Sequence, residues 1–294
     1  MADSLDDWRR KGTSFTYRGH EIFVRSGGDK AAPVLLLIHG FPTASWDYAP
    51  LWEGLAARWR VLTLDMLGFG FSAKPRNYSY SISDQADLME AFLRAESLSH
   101  YHVLAHDYGD TVAQELLARV SSEPGLRSVC LLNGGIFPEA HHPLLIQRLL
   151  SSPVGPLAAR LSTRASFALS MRRIFAQDRP PTPAELEGFW ELLTHGNGRA
   201  VLAAVSRYRH ERRRLRERWV GALQAAAVPL RLIVGMADPV AGATIAARYR
   251  QLVPRPDVIE LAGVGHYPQV EAPERVLKAY EEFRGMLTPS PSLT

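Results

Sequence analysis

The first half of the chain alternates between two hydrophobic patterns. Short, continuous apolar runs are typical of strands that are covered on both faces of a sheet, and segments with helical periodicity separate them. Residues 12–28 predict a β-hairpin with its turn at Arg18-Gly19. The continuous runs predict strands at residues 34–40, 61–66, 102–107 and 128–134. The periodic segments predict helices at residues 51–59, 82–96, with Ser83 as N-cap, and 111–120.

The second half interrupts this alternation before resuming it. Residues 138–220 carry helical signals with proline and glycine breaks, and we interpret them as an inserted helical cap, or lid. Strands return at 231–238 and 257–263, and helices follow at 245–253 and 273–287. The pattern predicts an α/β fold in which a mostly parallel, eight-stranded sheet carries helices on both faces. The predicted divisions are a core of residues 1–137 and 221–287, the cap 138–220 and a disordered tail 288–294.

Charge changes this picture little. The 294 residues carry a net charge of +4, which is too mild to indicate a nucleic-acid partner. Basic residues concentrate at 207–219, where we expect arginines to cover the solvated faces of a helix. The apolar stripe of that helix is predicted at positions 201, 205, 208, 215 and 219.

No apolar run approaches the 18 residues of a membrane span, and the polar N-terminus does not resemble a signal peptide. Cys130 is the only cysteine and is expected to be a buried thiol. We therefore predict a cytoplasmic protein without a membrane partner. The sequence indicates no metal or cofactor, and it leaves open whether the protein is a monomer or a homodimer.

Polar residues follow four of the predicted strands, at the sheet edge where ligands collect in such folds. Asp107 ends one strand and opens a helix, with the small residues Ala105 and Gly109 on either side. Asp238 and His266 follow later strands. Nucleophile, acid and histidine in this order form the triad of hydrolases with a strand-to-helix elbow. Glu139 is the alternative to Asp238 as the acid.

The motifs HGFP (39–42), DMLGFGFS (65–72), HDYG (106–109) and GH (265–266) resemble the α/β-hydrolase superfamily. Within it they are similar to the branch of epoxide hydrolases and haloalkane dehalogenases. A closer resemblance, to the mesoderm-specific transcript proteins, an epoxide-hydrolase-like group, is carried by five segments: LGFGFSAKP (67–75), HDYGDTVAQELL (106–117), NGGIFPEAHHPLL (133–145), RRRLRERWVGAL (212–223) and GHYPQVE (265–271). The resemblance implies oxyanion-hole donors at the amides of Phe41 and Tyr108, and a cap acid at Tyr208. It also implies that a second cap tyrosine is missing or replaced, by His141, His142 or His195.

A carboxylate at the elbow favours attack on saturated carbon rather than on an acyl group. Asp107 would form an alkyl ester, and His266, oriented by Asp238, would activate the water that hydrolyses it. With Tyr208 as acid, this predicts the opening of a small apolar epoxide to a vicinal diol. Aromatic and histidine side chains near the sheet edge are the candidate pocket residues: His39, Trp46, His106, Phe137, His141 and Trp190.

Two alternatives stay open. The first is a haloalkane or haloacid dehalogenase that uses the same triad. Haloalkane dehalogenases place tryptophan after the nucleophile, and tryptophan or asparagine after the His-Gly pair, where this chain has Tyr108 and Phe41. The second is a binding protein that keeps the fold without catalysis.

Overall fold

A computed structural model of the chain describes residues 2–119 and 125–287, so the predicted disordered tail lies outside the described residues. The amino-terminal half alternates strands and helices as the hydrophobic pattern predicts. Its elements are α1 (Leu5–Arg10), β1 (Thr13–Tyr17), β2 (His20–Gly27), β3 (Val34–Ile38), α2 (Trp52–Ala56), β4 (Arg60–Leu64), α3 (Ile82–Ala95), β5 (Tyr101–His106), α4 (Tyr108–Arg119) and β6 (Leu126–Leu132). A 3-10 helix, Ser45–Leu51, precedes α2.

Between β6 and the next strand the described chain is helical. These insertion helices are α5 (Leu145–Leu150), α6 (Gly155–Leu161), α7 (Arg164–Ile174), α8 (Pro183–Thr194), α9 (Leu202–Val205), α10 (Tyr208–Arg214) and α11 (Arg216–Gln224). A 3-10 helix, His195–Ala200, links α8 to α9. The fold then closes with β7 (Leu230–Gly235), α12 (Ala243–Leu252), β8 (Val258–Leu261), α13 (Pro268–Glu271) and α14 (Pro273–Leu287).

The eight strands form one sheet in the order β1-β2-β4-β3-β5-β6-β7-β8. The pairs β1–β2 and β2–β4 are antiparallel, and the neighbours from β4 to β8 are parallel. The parallel strands therefore end at one edge of the sheet, which is where β5, β7 and β8 deliver the polar residues that follow them. The predicted fold class is confirmed.

Strand β3 shows why the sheet needs helices on both faces. Leu35, Leu36, Leu37 and Ile38 are all fully buried. Alternate residues point to opposite faces, so Leu36 and Ile38 join one core cluster while Leu35 and Leu37 join the other. Burying each such side chain contributes roughly 2 kcal/mol, and this two-sided core fixes the strand ends that carry the site.

One helix start differs from the prediction. Helix α3 is capped by Ser81, whose hydroxyl accepts a hydrogen bond from the Asp84 amide at 3.1 Å, and the prediction of Ser83 was wrong. The Ser83 hydroxyl instead accepts a bond from Arg119 on α4. Both serines suit an N-cap, and the contact with α4 is long-range, so the local sequence did not distinguish them.

The arginine-rich segment at residues 207–219 also differs from the prediction. Val205, Tyr208 and Trp219 are buried as the predicted stripe requires, but the segment is broken into α9, α10 and α11. Because of these breaks, the positions do not follow one continuous helical repeat. Arg209 and Arg212 are buried, only 9% and 3% exposed, so the expectation of solvated arginines was wrong for these two.

None of the helices in the described ranges is both long and apolar enough to cross a membrane.

Candidate active site

Asp107 lies at the turn between β5 and α4 with φ +46°, a left-handed conformation that is uncommon for a residue with a side chain. The turn needs small neighbours. A methyl group on Gly109 would lie 2.3 Å from the Ile38 carbonyl oxygen, and one on Gly40 would lie 2.6 Å from His106 Nδ1. This crowding explains why glycines stand at both positions, and it holds the Asp107 carboxylate at the carboxyl edge of the sheet.

The surroundings of Asp107 stabilise its charged form. Although burial alone would raise the pKa of Asp107, the nearby Arg212 and His266 hold it below its ordinary value. The Phe41 amide donates to Oδ2 at 3.2 Å, and the amino-terminal end of α4 places the positive end of a helix dipole nearby. An anionic carboxylate that is almost fully buried, as here, is suited to act as a nucleophile.

The structure brings Asp238 and His266 together at this edge. His266 Nδ1 lies 2.7 Å from Asp238 Oδ2, and both side chains are buried. Asp238 also accepts bonds from Asn133 Nδ2 at 2.8 Å and the Val240 amide at 2.7 Å. These bonds fix the carboxylate that orients the imidazole.

The alternative acid, Glu139, has a different environment. It is about one-third exposed and forms ion pairs with Arg216 at 2.6 Å and Arg248 at 3.1 Å. The hydrogen bond to Arg216 is the main reason why the pKa of Glu139 falls to about 2. Its carboxylate is thus bound to surface arginines, and Asp238 is the carboxylate that the structure places on the histidine.

The pKa of His266 reflects two opposing effects. Burial would lower it, but the carboxylates of Asp238 and Asp107 together raise it to about 9. At neutral pH the resting site therefore holds an imidazolium beside an Asp107 carboxylate. Any reaction that neutralises Asp107 removes one of the negative charges that raise this pKa.

This ion cluster predicts a pH dependence of stability. The raised pKa of His266 should contribute up to about 3 kcal/mol to the free energy of unfolding, fully present below pH 6.5 and lost as pH rises through 9. We expect the stability difference between the natural chain and the His266→Gln variant to shrink over that interval. Urea unfolding of both proteins at several pH values measures it, and a constant difference would contradict the assignment.

The loop that carries His266 is held by contacts that local sequence did not reveal. One carboxylate oxygen of Glu271 accepts a hydrogen bond from the Gly265 amide at 2.8 Å, and the other accepts one from the Tyr267 amide at 2.9 Å. The His266 amide donates to the Ile174 carbonyl oxygen at 2.8 Å. His106 Nε2 lies 2.8 Å from the His266 carbonyl oxygen, a distance suited to donation by a neutral imidazole. Both faces of the loop are therefore fixed.

Arg212, on α10, is the site residue that sequence reasoning missed. Its Nη2 donates to the Asp107 backbone oxygen at 2.8 Å and lies 3.6 Å from Oδ1, while Nε donates to Thr111 Oγ1 at 2.6 Å. Nη1 is buried and has no hydrogen-bond partner among the described residues. A signal existed, because an arginine four residues after Tyr208 shares its helix face.

Tyr208, on the same helix, packs against the Arg212 guanidinium. Its ring packs 4.7 Å from the Tyr108 ring and 5.8 Å from the Phe41 ring, and the Arg212 guanidinium stacks 4.6 Å from its centroid. Its hydroxyl is buried without a hydrogen-bond partner in the described ranges. Burial, together with the negative charge of Asp107, raises the pKa of Tyr208. A buried, protonated hydroxyl without a partner is a free proton donor.

A cavity of about 350 Å³ reaches His266, whereas Asp107, Tyr208 and Arg212 are not part of its wall. Phe41 and His266 form part of its wall, most of the other lining residues lie on α5 and α7, and the wall as a whole is mostly apolar. Since a mostly apolar wall with a few polar groups is typical of small-molecule sites, the geometry suits a small apolar ligand.

Comparison with known proteins agrees with this geometry. The model of the "Alpha/beta hydrolase family" matches residues 35–279.

The chain belongs to the alpha/beta hydrolase family.

Two curated relatives illustrate the match. The mesoderm-specific transcript protein of Mus musculus is 40% identical over 296 residues, covering 96% of this chain and 88% of that protein. The putative hydrolase LipZ of Mycobacterium tuberculosis is 40% identical over 283 residues, covering 95% and 96% of the two chains. The resemblance drawn from the motifs is thus confirmed.

A solved haloalkane dehalogenase, the DbeA-M1 loop variant from Bradyrhizobium elkanii, superimposes with a TM-score of 0.80. It is 22% identical and covers 94% of this chain and 96% of its own. This likeness shows the alpha/beta hydrolase fold.

The six residues that the sequence analysis gave as pocket candidates lie in several different environments. His141 lines a separate cleft on the insertion helices. His39 is buried, with Nδ1 2.9 Å from the Gly40 carbonyl oxygen and Nε2 accepting from the Met66 amide. Trp46 donates to the Asp3 carbonyl oxygen, which is distant in sequence. In the described part of the chain, none of the six candidates lies in the wall of the apolar cavity: His39, Trp46, His106, Phe137, His141 and Trp190.

Proposed function

We propose that this protein is a hydrolase that opens an epoxide to a vicinal diol through a covalent ester of Asp107. The observation that carries the proposal is the buried carboxylate of Asp107, hydrogen bonded to the Phe41 amide at 3.2 Å, in one site with the His266–Asp238 pair. A carboxylate is a poor nucleophile toward acyl carbon but displaces an oxygen leaving group from saturated carbon.

In the first step, an oxygen of Asp107 attacks one epoxide carbon and the ring C–O bond breaks. Tyr208 donates its proton to the departing oxygen, so the products are an alkyl ester, a hydroxyl group and a tyrosinate. The Arg212 guanidinium, stacked 4.6 Å from the Tyr208 ring, stabilises that negative charge. The extra proton of His266 then restores Tyr208, which leaves His266 neutral.

In the second step, neutral His266 takes a proton from water, and the hydroxide attacks the ester carbonyl carbon of Asp107. The amides of Phe41 and Tyr108 form the oxyanion hole that we propose for this intermediate. Its collapse releases the diol and returns an imidazolium beside a carboxylate. His266 thus gives up a proton in the first step and takes one in the second. Esterification of Asp107 favours this change, because it removes a negative charge that raises the pKa of His266.

The substrate class follows from the cavity. Its wall is mostly apolar, and we propose a small apolar epoxide as substrate. We further propose that residues 138–220 act as a cap that excludes water from the first step. The chemistry requires neither a metal nor an organic cofactor.

The Tyr208→Phe variant separates epoxide chemistry from halide chemistry. We expect epoxide turnover to fall roughly 10²- to 10⁴-fold, which is the usual contribution of a general acid, while displacement of a halide loses little. Stability should not fall, because the hydroxyl has no hydrogen-bond partner among the described residues. Turnover of styrene oxide, chloroalkanes and haloacids by both proteins measures this. Unchanged epoxide turnover would remove Tyr208 from the mechanism.

A haloacid dehalogenase is the second candidate, and Arg212 favours it. Its buried Nη1 has no partner within the described residues, and Nη2 lies 3.6 Å from Asp107 Oδ1. Such a guanidinium suits the carboxylate of a haloacid held next to the nucleophile. Halide release from haloacetates without any epoxide turnover, in the same panel, would make this the better assignment.

A further inference from the structure

Large apolar side chains are exposed mainly on one part of the insertion helices. In the described ranges, six of the seven most exposed ones fall between residues 145 and 169. They include Leu145 at 78% and Leu149 at 43% on α5, and Leu169 at 53% on α7. Two more, Leu157 and Leu161, are one turn apart on α6. Soluble surfaces rarely concentrate so many leucines unless they bind a partner.

The charges of the same segment have one sign. Residues 140–177 contain five arginines and no aspartate or glutamate. All five arginine side chains are exposed: Arg148, Arg160, Arg164, Arg172 and Arg173. Only Arg164 has an ion-pair partner among the described residues, Glu187 on α8. A segment that exposes leucines and four arginines without an ion-pair partner in the described ranges, and that has no acidic residue of its own, suits a partner that is both apolar and anionic.

Helix α5 joins this surface to two cavities. On one side, Leu145, Leu149 and Leu169 line the apolar cavity that reaches His266, together with Arg173. On the other side, Arg148 lines an open cleft of about 970 Å³, whose other basic residues include Arg207, Arg209 and Arg213. We call Leu145, Leu149, Leu169, Arg148 and Arg173 the leucine–arginine face.

We propose that the leucine–arginine face docks this protein onto the headgroup region of an anionic lipid bilayer. The leucines insert at the level of the upper acyl chains, and the arginines bind lipid phosphates and carboxylates. This contact is peripheral, so it is compatible with the lack of a membrane-crossing helix in the described ranges. It departs from the sequence-based expectation of no membrane partner.

A bilayer fits these observations better than a protein partner. The apolar side chains are spread over three short helices, and the arginines are interleaved with them at positions such as Arg148, between Leu145 and Leu149. A fluid interface accommodates this spacing, whereas a protein would need a matching groove and acidic contacts at several separate points. Charge complementarity with anionic headgroups applies to both arginines of the leucine–arginine face, Arg148 and Arg173.

Docking would also place the cavity mouth against the bilayer. If the proposed epoxide hydrolysis is correct, an apolar substrate could then pass from the acyl region past Leu145 and Leu149 to His266 without crossing water. This consequence rests on the proposed function, but the docking surface itself does not.

Vesicle flotation of the 294-residue chain tests the proposal without measuring catalysis. We expect binding to vesicles of phosphatidylcholine with about 30% phosphatidylserine, and at least roughly tenfold weaker binding to phosphatidylcholine alone. The bound fraction should fall as salt is raised, because lipid charge attracts the arginines. No binding to anionic vesicles, or equal binding to both compositions, would overturn the proposal.

Two double variants locate the surface. Removing two arginines, Arg148→Gln with Arg173→Gln, should weaken binding roughly 25-fold, or about fivefold for each arginine. Removing two leucines, Leu145→Gln with Leu149→Gln, should weaken it by at least tenfold, because about 3 kcal/mol of apolar burial is lost before compensation. Both pairs are exposed, so folding should be unaffected, and circular dichroism checks this.

The matched control is Arg94→Gln with Met286→Gln, two exposed side chains of α3 and α14 in the sheet-forming part of the chain. It should bind vesicles as the natural chain does. Equal losses in the control and the two test variants would overturn the assignment of this face. Self-association is the other outcome that would overturn the proposal. It would be assigned to this face if the natural chain forms dimers in solution and both test variants are monomeric but bind vesicles as the natural chain does.

Discussion

Replacing Asp107 with asparagine is expected to lower steady-state epoxide turnover by roughly 10⁴-fold or more, the size of loss seen when a covalent nucleophile is removed. The amide oxygen of asparagine carries no charge, so it cannot displace the ring oxygen at a comparable rate. The measurement is diol formation under saturating epoxide, with substrate binding followed separately. Binding should persist, since the apolar wall of the cavity is unchanged.

Asparagine is the informative replacement at this position. It tolerates the φ of +46° better than most residues do, and its side-chain oxygen can still accept from the Phe41 amide. Alanine would also remove the acceptor of the Phe41 amide and fit the left-handed φ less well, so a loss of folding could then mimic a loss of catalysis. Thermal unfolding of Asp107→Asn should therefore show a folded protein.

Asp110, the next carboxylate along α4, supplies a matched control for the Asp107→Asn variant. Asp110 is also fully buried, and burial followed by the charge of Asp107 raises its pKa well above the usual range. Both effects favour the neutral form of the Asp110 carboxyl group, which asparagine resembles in shape and hydrogen bonding. Asp110→Asn should retain most of the activity, and an equal loss in both variants would point to structural damage rather than to a nucleophile.

Isotope labelling adds a readout that only a covalent route changes. In a single turnover in ¹⁸O water, both diol oxygens should be unlabelled, one from the epoxide and one from Asp107. The solvent oxygen should remain in the carboxylate of Asp107, where mass spectrometry of the peptide detects it. A labelled first-turnover diol would indicate direct attack by water, and Asp107 would then act as a base.

Most of the fold follows from local patterns in the sequence. The run Leu35–Ile38 is apolar at every position, which indicates burial on both faces, and its flanking turns end the strand near the predicted residue. The elbow at Asp107 was also predictable, because Ala105 and Gly109 are the small residues that such a turn requires. These features depend on neighbours within a few positions, so a single sequence records them.

The contacts that were missed join distant parts of the chain. Arg212 reaches the Asp107 backbone oxygen across 105 residues, and Glu211 on the same helix accepts from the Ile82 amide across 129. The sequence around Arg212 is rich in arginine, so residue type does not separate the buried guanidinium from its exposed neighbours Arg213 and Arg214, and only the spacing of four residues from Tyr208 does. The helix breaks that turn Arg212 inward arise from packing of the insertion helices, which periodicity alone does not record.

The His266→Gln variant is expected to stop after one covalent event and retain the substrate on the enzyme. Attack by Asp107 does not need a base, and Arg212, which lies 3.6 Å from Oδ1, still favours the charged carboxylate. Ester hydrolysis does need a base, since water must lose a proton as it attacks. We expect ester formation within about tenfold of the natural rate and ester hydrolysis slowed by roughly 10⁴-fold.

Intact-protein mass spectrometry gives a direct measurement, because the trapped ester adds the full mass of the epoxide to one site. The Asp107→Asn/His266→Gln double variant is the control and should carry no adduct. An adduct that persists in the double variant would come from another nucleophile and would contradict the role of Asp107. A haloacid substrate would add the mass of the acid less hydrogen halide, so the same spectrum distinguishes the two proposed reactions. A protein that only binds its ligand would show no adduct with any substrate, because binding alone forms no bond to Asp107.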